Sequence, residues 1–225
     1  MTSNALPAAL FEVIAAAQRR GWIGAAAPTR YIKQADSFAA TLDALGAQIV
    51  VELGSGGGIP GLVVALRCPA IHMTCFDADL QRVDHLWSAV QLLDLDERVS
   101  VHHGRAEDFA HQERWRATAD AVIARSFAPP PITAECAAGF LRVGGSLVVT
   151  QHPDGDAAWS EVGLAVLGLH RMALPITDPM SCAGGTATLW RGIQREPCPA
   201  KYPRPATAQR RSPLWSIVSR ETFEH

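Results

Sequence analysis

No run of apolar residues in the chain approaches the ~18 that a membrane span requires, although apolar residues make up 48% of its 225 positions. The apolar stretch within residues 5–20 is followed, not preceded, by Arg19 and Arg20, so no secretory leader is expected. Cysteine is scarce. The five thiols, at 68, 75, 136, 182 and 198, are odd in number and form no CxxC. A disulfide framework is not needed at this size, and reduced thiols in a cytoplasm are expected. The chain lacks a GxSxG elbow, an HExxH pair, a P-loop and any legible catalytic triad, which removes the usual signatures of esterases, zinc proteases and nucleotide hydrolases. His102, His103, His152 and His170 do not stand at ligand spacing, so no metal is expected. No internal repeat is visible.

Charge is unevenly spread. Residues 48–190 hold nine arginines and sixteen acids, net −7, whereas residues 191–220 hold seven cations against Glu196 alone, net +6. An acidic body with a basic tail suits either a nucleic-acid binder or a solvated terminus.

Apolar residues at helical spacing predict a helix over 5–20, closed by Gly21, and a second over 30–45, closed by Gly46. Residues 48–53, QIVVEL, then read as a strand buried on both faces, as in a parallel sheet. Alternation follows. Strands are expected at 71–76, 98–103, 119–124 and 145–150, and helices at 59–67, 79–93 and 131–141. A helix near 156–167 precedes two last strands, near 169–174 and 186–193, and the loop 175–185 between them could turn the chain antiparallel. The expected fold is a doubly wound α/β sheet of seven mostly parallel strands, with two extra N-terminal helices. Three regions are expected: a helical extension over 1–46, a core over 47–194 and a basic tail over 195–225.

The segment VELGSGGGIPG, 51–61, carries the most information. Glycines between a strand and a helix let the backbone turn tightly and approach a ligand. Two readings fit. Residues 56–61 match G-x-G-x-x-G, the dinucleotide fingerprint of NAD-dependent oxidoreductases. Residues 52–58 match E-x-G-x-G-x-G, the first motif of class I S-adenosylmethionine-dependent methyltransferases, in which Glu52 could receive the amino group of the cofactor. Asp77, ending the second strand, could accept both ribose hydroxyls of either cofactor. Ala106 and Glu107, after the third strand, are candidates for the adenine edge.

The atom methylated leaves its own signature. Exocyclic amines call for a [DNS]-P-P-[YFW] turn after the fourth strand, where this chain has ARSFAPPP, 124–131. Carbon-5 of a pyrimidine needs a cysteine nucleophile, and the only Pro-Cys pair, Pro197–Cys198, lies beyond the last strand. Guanine N7 carries a lone pair and no proton, so its methylation asks mainly for alignment.

These residues resemble, in chain order, the bacterial small-subunit ribosomal RNA guanine-N7 methyltransferases known as RsmG or GidB. The resemblance rests on ADSF (35–38), VELGSGGGIPGL (51–62), FDADLQRVDHL (76–86), HGRAEDF (103–109), AVIARSFAP (121–129), LRVGGSLVV (141–149) and KYPRP (201–205). It implies a Rossmann-like class I methyltransferase fold, S-adenosylmethionine as cofactor and 16S ribosomal RNA or the small subunit as partner, in a cytoplasmic monomer. With the loop reading, the implied cofactor residues are Glu52, Gly54, Ser55, Gly56, Gly58, Ile59, Asp77, Ala106, Glu107 and Arg125. Arg125 is also the candidate catalytic residue, and Lys201 and Arg204 are candidate RNA contacts. The chain departs from the family in its short N-terminal region and in two segments. GWIGAAAPTR (21–30) replaces an Asn-Leu-Thr segment, and Gln151–His152 replaces a lysine-glycine pair. Both fall on the substrate side, which leaves a same-fold methyltransferase of another RNA or a small molecule open.

Overall fold

The structure is a computed structural model that describes residues 6–151, 155–174 and 189–217. Two N-terminal helices, α1 (Ala8–Arg19) and α2 (Pro28–Ala44), precede the sheet. Proline suits the first turn of α2, where its missing N–H has no acceptor to lose. Strands β1 (Ile49–Leu53), β2 (His72–Asp77), β3 (Val99–His103), β4 (Ala119–Ala124) and β5 (Leu141–Thr150) alternate with helices α3 (Gly61–Arg67), α4 (Leu80–Leu92), α5 (Ala106–Phe109) and α6 (Pro130–Phe140). Then follow a 3₁₀ turn (Gly155–Ala158), α7 (Glu161–Ala165), β6 (Leu169–Arg171), β7 (Leu189–Gln194) and α8 (Ala206–Arg211).

The strand order is β3-β2-β1-β4-β5-β7-β6. β1 to β5 are parallel, and β7 inserts antiparallel between β5 and β6. This differs from the six-stranded order 3-2-1-4-5-6 of dinucleotide-binding dehydrogenases. Alternate residues of β1 feed two cores, as a doubly covered sheet demands. Val50 joins the core under α1 to α4. Val51 and Leu53 join the core under α5 to α7.

Most expected elements are present within a few residues. The helix expected over 156–167 is broken, because Ser160 caps a fresh start by accepting from the Gly163 N–H at 3.2 Å. β5 begins at Leu141, ahead of the expected 145. α8 carries no apolar stripe and had no signal in the sequence. The 175–185 loop, the start of the last expected strand, His152, Cys182 and Arg220 lie outside the described residues.

The tail over 195–217 packs on the body. Arg116 donates to the carbonyls of Cys198, Pro199 and Tyr202. The Trp215 indole donates to the Ala158 carbonyl at 2.9 Å.

Candidate active site

The glycine loop is assembled at the C-terminal ends of β1 and β2. The Gly54 and Ser55 amides both donate to the Phe76 carbonyl, at 2.9 and 3.2 Å. The Asp77 carboxylate clamps the loop, accepting from the Gly56 amide at 2.8 Å on one oxygen and from the Asp79 amide at 2.9 Å on the other. Asp79 in turn caps α4 through the Gln81 and Arg82 amides. Gly54 has φ +65°, and a Cβ there would sit 2.7 Å from the Phe127 ring. Only glycine satisfies both the left-handed backbone and that approach.

Beside this loop a cleft of about 590 Å³ is lined by Gly54, Phe76, Asp77, Ala78, Arg82, Gly104, Arg105, Ala106, Glu107, Ser126 and Phe127. A second cleft, of about 550 Å³, lies over the ends of β4 and β5. Its lining is Ala124, Ser126, Phe127, Ala128, Pro130, Thr133, Val149, Thr150, Gln151 and Trp159. Ser126 and Phe127 border both. Ser126 holds φ +54°, a conformation that a serine adopts at a cost.

Four sequence-predicted residues therefore meet in the first cleft: Gly54, Asp77, Ala106 and Glu107. Asp77 keeps acceptor capacity, since each carboxylate oxygen has a second lone-pair direction beyond the amide it already holds. Glu107 is buried and paired with Arg105. A nucleoside with vicinal hydroxyls suits this acceptor set. Phe127, Ser126, Arg82, Arg105 and Trp159 were not singled out beforehand. Phe127 and Ser126 lie in the quoted ARSFAP segment, but nothing in their spacing says that the backbone turns left-handed there.

Other expected residues point elsewhere. Glu52 is 1% exposed and lies inside the core, accepting from the Gly61 amide at 2.9 Å. A Cβ at Gly61 would collide with it. Alternation along β1 puts Glu52 on the Val50 face, under α3, so it supports the loop from beneath and lines neither cleft. Arg125 shares that side. It donates to the Ile59 carbonyl at 3.2 Å and to the Gln34 side chain at 3.3 Å, over the Tyr31 ring. These contacts tie it to the loop from beneath, and it lines neither cleft. Ser55 and Ile59 are buried, 2% and 3% exposed, and Gly56 and Gly58 shape the turn without lining either cleft.

Burial pushes the Glu52 pKa from 4.5 to about 7, against Ser55, Gly61, Cys75 and Arg125, which favour the anion. The unfolded chain loses this proton near 4.5, the folded chain near 7. Between those values the folded state holds more protons, so stability falls as pH rises through the window and is level in this respect above it. The drop amounts to about 3 kcal/mol at most. Urea midpoints should decline from pH 5 to pH 7.5 in the parent chain and stay level in Glu52→Gln. Parallel declines in both would show that another group titrates.

The basic tail is partly structural. Arg204 grips the Glu135 carboxylate with Nε at 2.9 Å and Nη2 at 2.7 Å, and donates to the Ser212 carbonyl. Its guanidinium is engaged inside the chain. Lys201 is exposed, 5.1 Å from the Tyr202 ring centre.

The GidB family, described as rRNA small subunit methyltransferase G, matches residues 13–162. The Ribosomal RNA small subunit methyltransferase G of Streptococcus sanguinis is 32% identical over 168 residues, covering 73% of this chain and 69% of that protein. Its namesake from Moorella thermoacetica is 30% identical over 179 residues, with the same coverage. Among solved structures, the O-methyltransferase from Bacillus cereus in complex with SAH aligns with a TM-score of 0.62 at 17% identity, covering 86% of this chain and 94% of that one. A putative O-methyltransferase from Klebsiella pneumoniae aligns at 0.61 and 17%, covering 86% and 92%. The fold is that of the class I methyltransferases.

Proposed function

The chain belongs to the GidB family of small-subunit ribosomal RNA methyltransferases, and on that premise we propose that it transfers a methyl group from S-adenosylmethionine to N7 of a guanine in 16S ribosomal RNA. The first cleft takes the cofactor. Asp77 accepts the ribose hydroxyls while it holds the Gly56 amide. Ala106 and Glu107 border the adenine, and Gly54 leaves the backbone bare beside Phe127. The sulfonium supplies both the methyl group and its leaving group. Glu52 and Arg125 act from beneath, through the Gly61 amide and the Ile59 carbonyl, to keep the loop in shape.

The observation that carries the choice of acceptor is the second cleft. Its described lining contains no titratable side chain. A nucleophile that must lose a proton needs a base within reach, whereas guanine N7 needs none. Phe127 offers a face for a base to stack upon. Covalent activation through the described cysteines is disfavoured. Cys68, Cys75, Cys136 and Cys198 line neither cleft, and burial raises all four thiols, Cys68 and Cys198 to about 11 and Cys136 to about 12. The reading needs neither a metal nor a second protomer, and it places the work on small subunits in the cytoplasm.

The test is transfer of labelled methyl from S-adenosylmethionine to small subunits from cells lacking this gene, followed by digestion and mass spectrometry of the nucleosides. The expected product is 7-methylguanosine. Label in a different nucleoside, or none with active protein, would overturn the assignment.

A further inference from the structure

Most arginines of the described body are committed to partners inside the chain. Arg67 pairs with Asp36, Arg142 with Asp120 and Arg171 with Asp156. Arg116 holds tail carbonyls, Arg191 donates to Ser146 and Ala173, and Arg204 is bound to Glu135. Four cations of the N-terminal helices differ. Arg19, Arg20, Arg30 and Lys33 are all exposed, and among the described residues none makes an ion pair or a side-chain hydrogen bond, a state they share with Arg195, Lys201, Arg210 and Arg211 of the tail. Arg20 lies only over the Trp22 ring, 5.2 Å from its centre.

These four side chains come from one short folded stretch. Gln18 ties the end of α1 to the start of α2 by donating to the Gly24 carbonyl at 2.8 Å and to the Ala26 carbonyl at 2.7 Å. Arg30 and Lys33 stand one turn apart on α2 and share a face. This unit rests on the glycine loop. A Cβ on Gly57 would lie 2.7 Å from the Ala17 methyl and 3.2 Å from Ile23, and Arg125 bridges Gln34 to the Ile59 carbonyl. The free cations are thus carried by the element that braces the cofactor loop. Next to them, a groove lined by Arg20, Gln81, Asp84, His85 and Ser88 contains a His85 Nε2 that is buried without a hydrogen-bond partner.

This cluster of exposed guanidinium and ammonium groups on an acidic body has no ion-pair partner among the described residues. A polyanion with regularly spaced charges supplies what is missing. We propose that Arg19, Arg20, Arg30 and Lys33, carried by the unit that packs on the cofactor loop, form the phosphate-contacting surface that docks RNA beside that loop. The proposal rests on the RNA methyltransferase reading and adds to it the face on which the RNA lies. Phosphate contacts of this kind set position and register, not sequence.

The test uses the full chain and purified small subunits, with binding measured on filters as a function of KCl. The variant Arg19→Gln/Arg20→Gln/Arg30→Gln/Lys33→Gln should bind small subunits more weakly by about tenfold or more, and its log–log salt slope should be shallower by roughly 3, from about 0.7–0.9 per lost phosphate contact. Its affinity for S-adenosylhomocysteine by calorimetry should match the parent chain, which also shows that it folds. A second variant, Lys201→Gln/Arg210→Gln/Arg211→Gln, should keep most of the slope. If the slope follows this tail variant, or if the quadruple variant keeps the parent slope, the docking surface is wrong while the methyltransferase reading stands. A parent chain that binds S-adenosylhomocysteine but not small subunits overturns the docking surface as well. A parent chain that binds neither overturns both.

Discussion

Arg204→Ala is expected to lower the free energy of unfolding by about 3–5 kcal/mol, the range seen when one member of a buried ion pair is removed. Glu135 is 1% exposed on α6. Both of its oxygens are taken by the Arg204 guanidinium, and one also accepts from the Arg204 amide at 2.7 Å. Alanine leaves that amide as the carboxylate's remaining partner from residue 204 and strands a charge inside the protein. It also cuts the bond to the Ser212 carbonyl that follows α8. The measurement is a urea unfolding curve at neutral pH. The double variant Glu135→Leu/Arg204→Met should regain much of the loss, because a packed apolar pair avoids desolvating two charges. Parental stability in Arg204→Ala would mean that the pair is not formed in solution. RNA affinity should change little in folded protein, the opposite of what the residue's place in a basic tail suggests.

Gly54→Val should abolish detectable binding of S-adenosylhomocysteine, a loss of about 100-fold or more in affinity. Two effects combine. A β-branched residue at φ +65° costs roughly 1–2 kcal/mol or more. Its Cβ also meets the Phe127 ring at 2.7 Å, so the ring is driven along the wall shared by the two clefts. Gly56 has a similar backbone, φ +54°, but a Cβ there meets only the Gly54 carbonyl at 3.6 Å, so strain alone limits it. The milder Gly54→Ala, checked first for folding by circular dichroism, should bind more weakly than Gly56→Ala when both are titrated by calorimetry. The reverse order would remove Phe127 from the argument.

Much of the scaffold was legible because its signals are local. A strand covered on both faces, such as Ile49–Leu53, is mostly apolar, Glu52 apart, and the glycine cluster after it has few uses other than a tight turn against a ligand. The acid ending β2 and the pair after β3 were likewise readable, because strand ends in a parallel sheet converge on one edge. That Glu52 and Arg125 line neither cleft was hidden for the same reason that the strands were found. Position along a strand is visible in a sequence, but which sheet face a polar residue takes depends on register, and a shift of one residue exchanges the faces. The broken helix near 160 turned on Ser160 capping a new start, a choice that side-chain geometry makes.

Residue types and their order along the chain determined the strand–helix alternation, the bare loop and the family. Those features follow from local periodicity and from positions where a side chain cannot be tolerated. Which cations are free and which are tied was decided only by tertiary structure. Arg204 and Arg30 are the same residue type in similarly basic stretches, yet one faces the buried Glu135 and the other faces water. That difference is set by partners distant in sequence, and Coulomb energy depends on distance and burial, not on order along the chain.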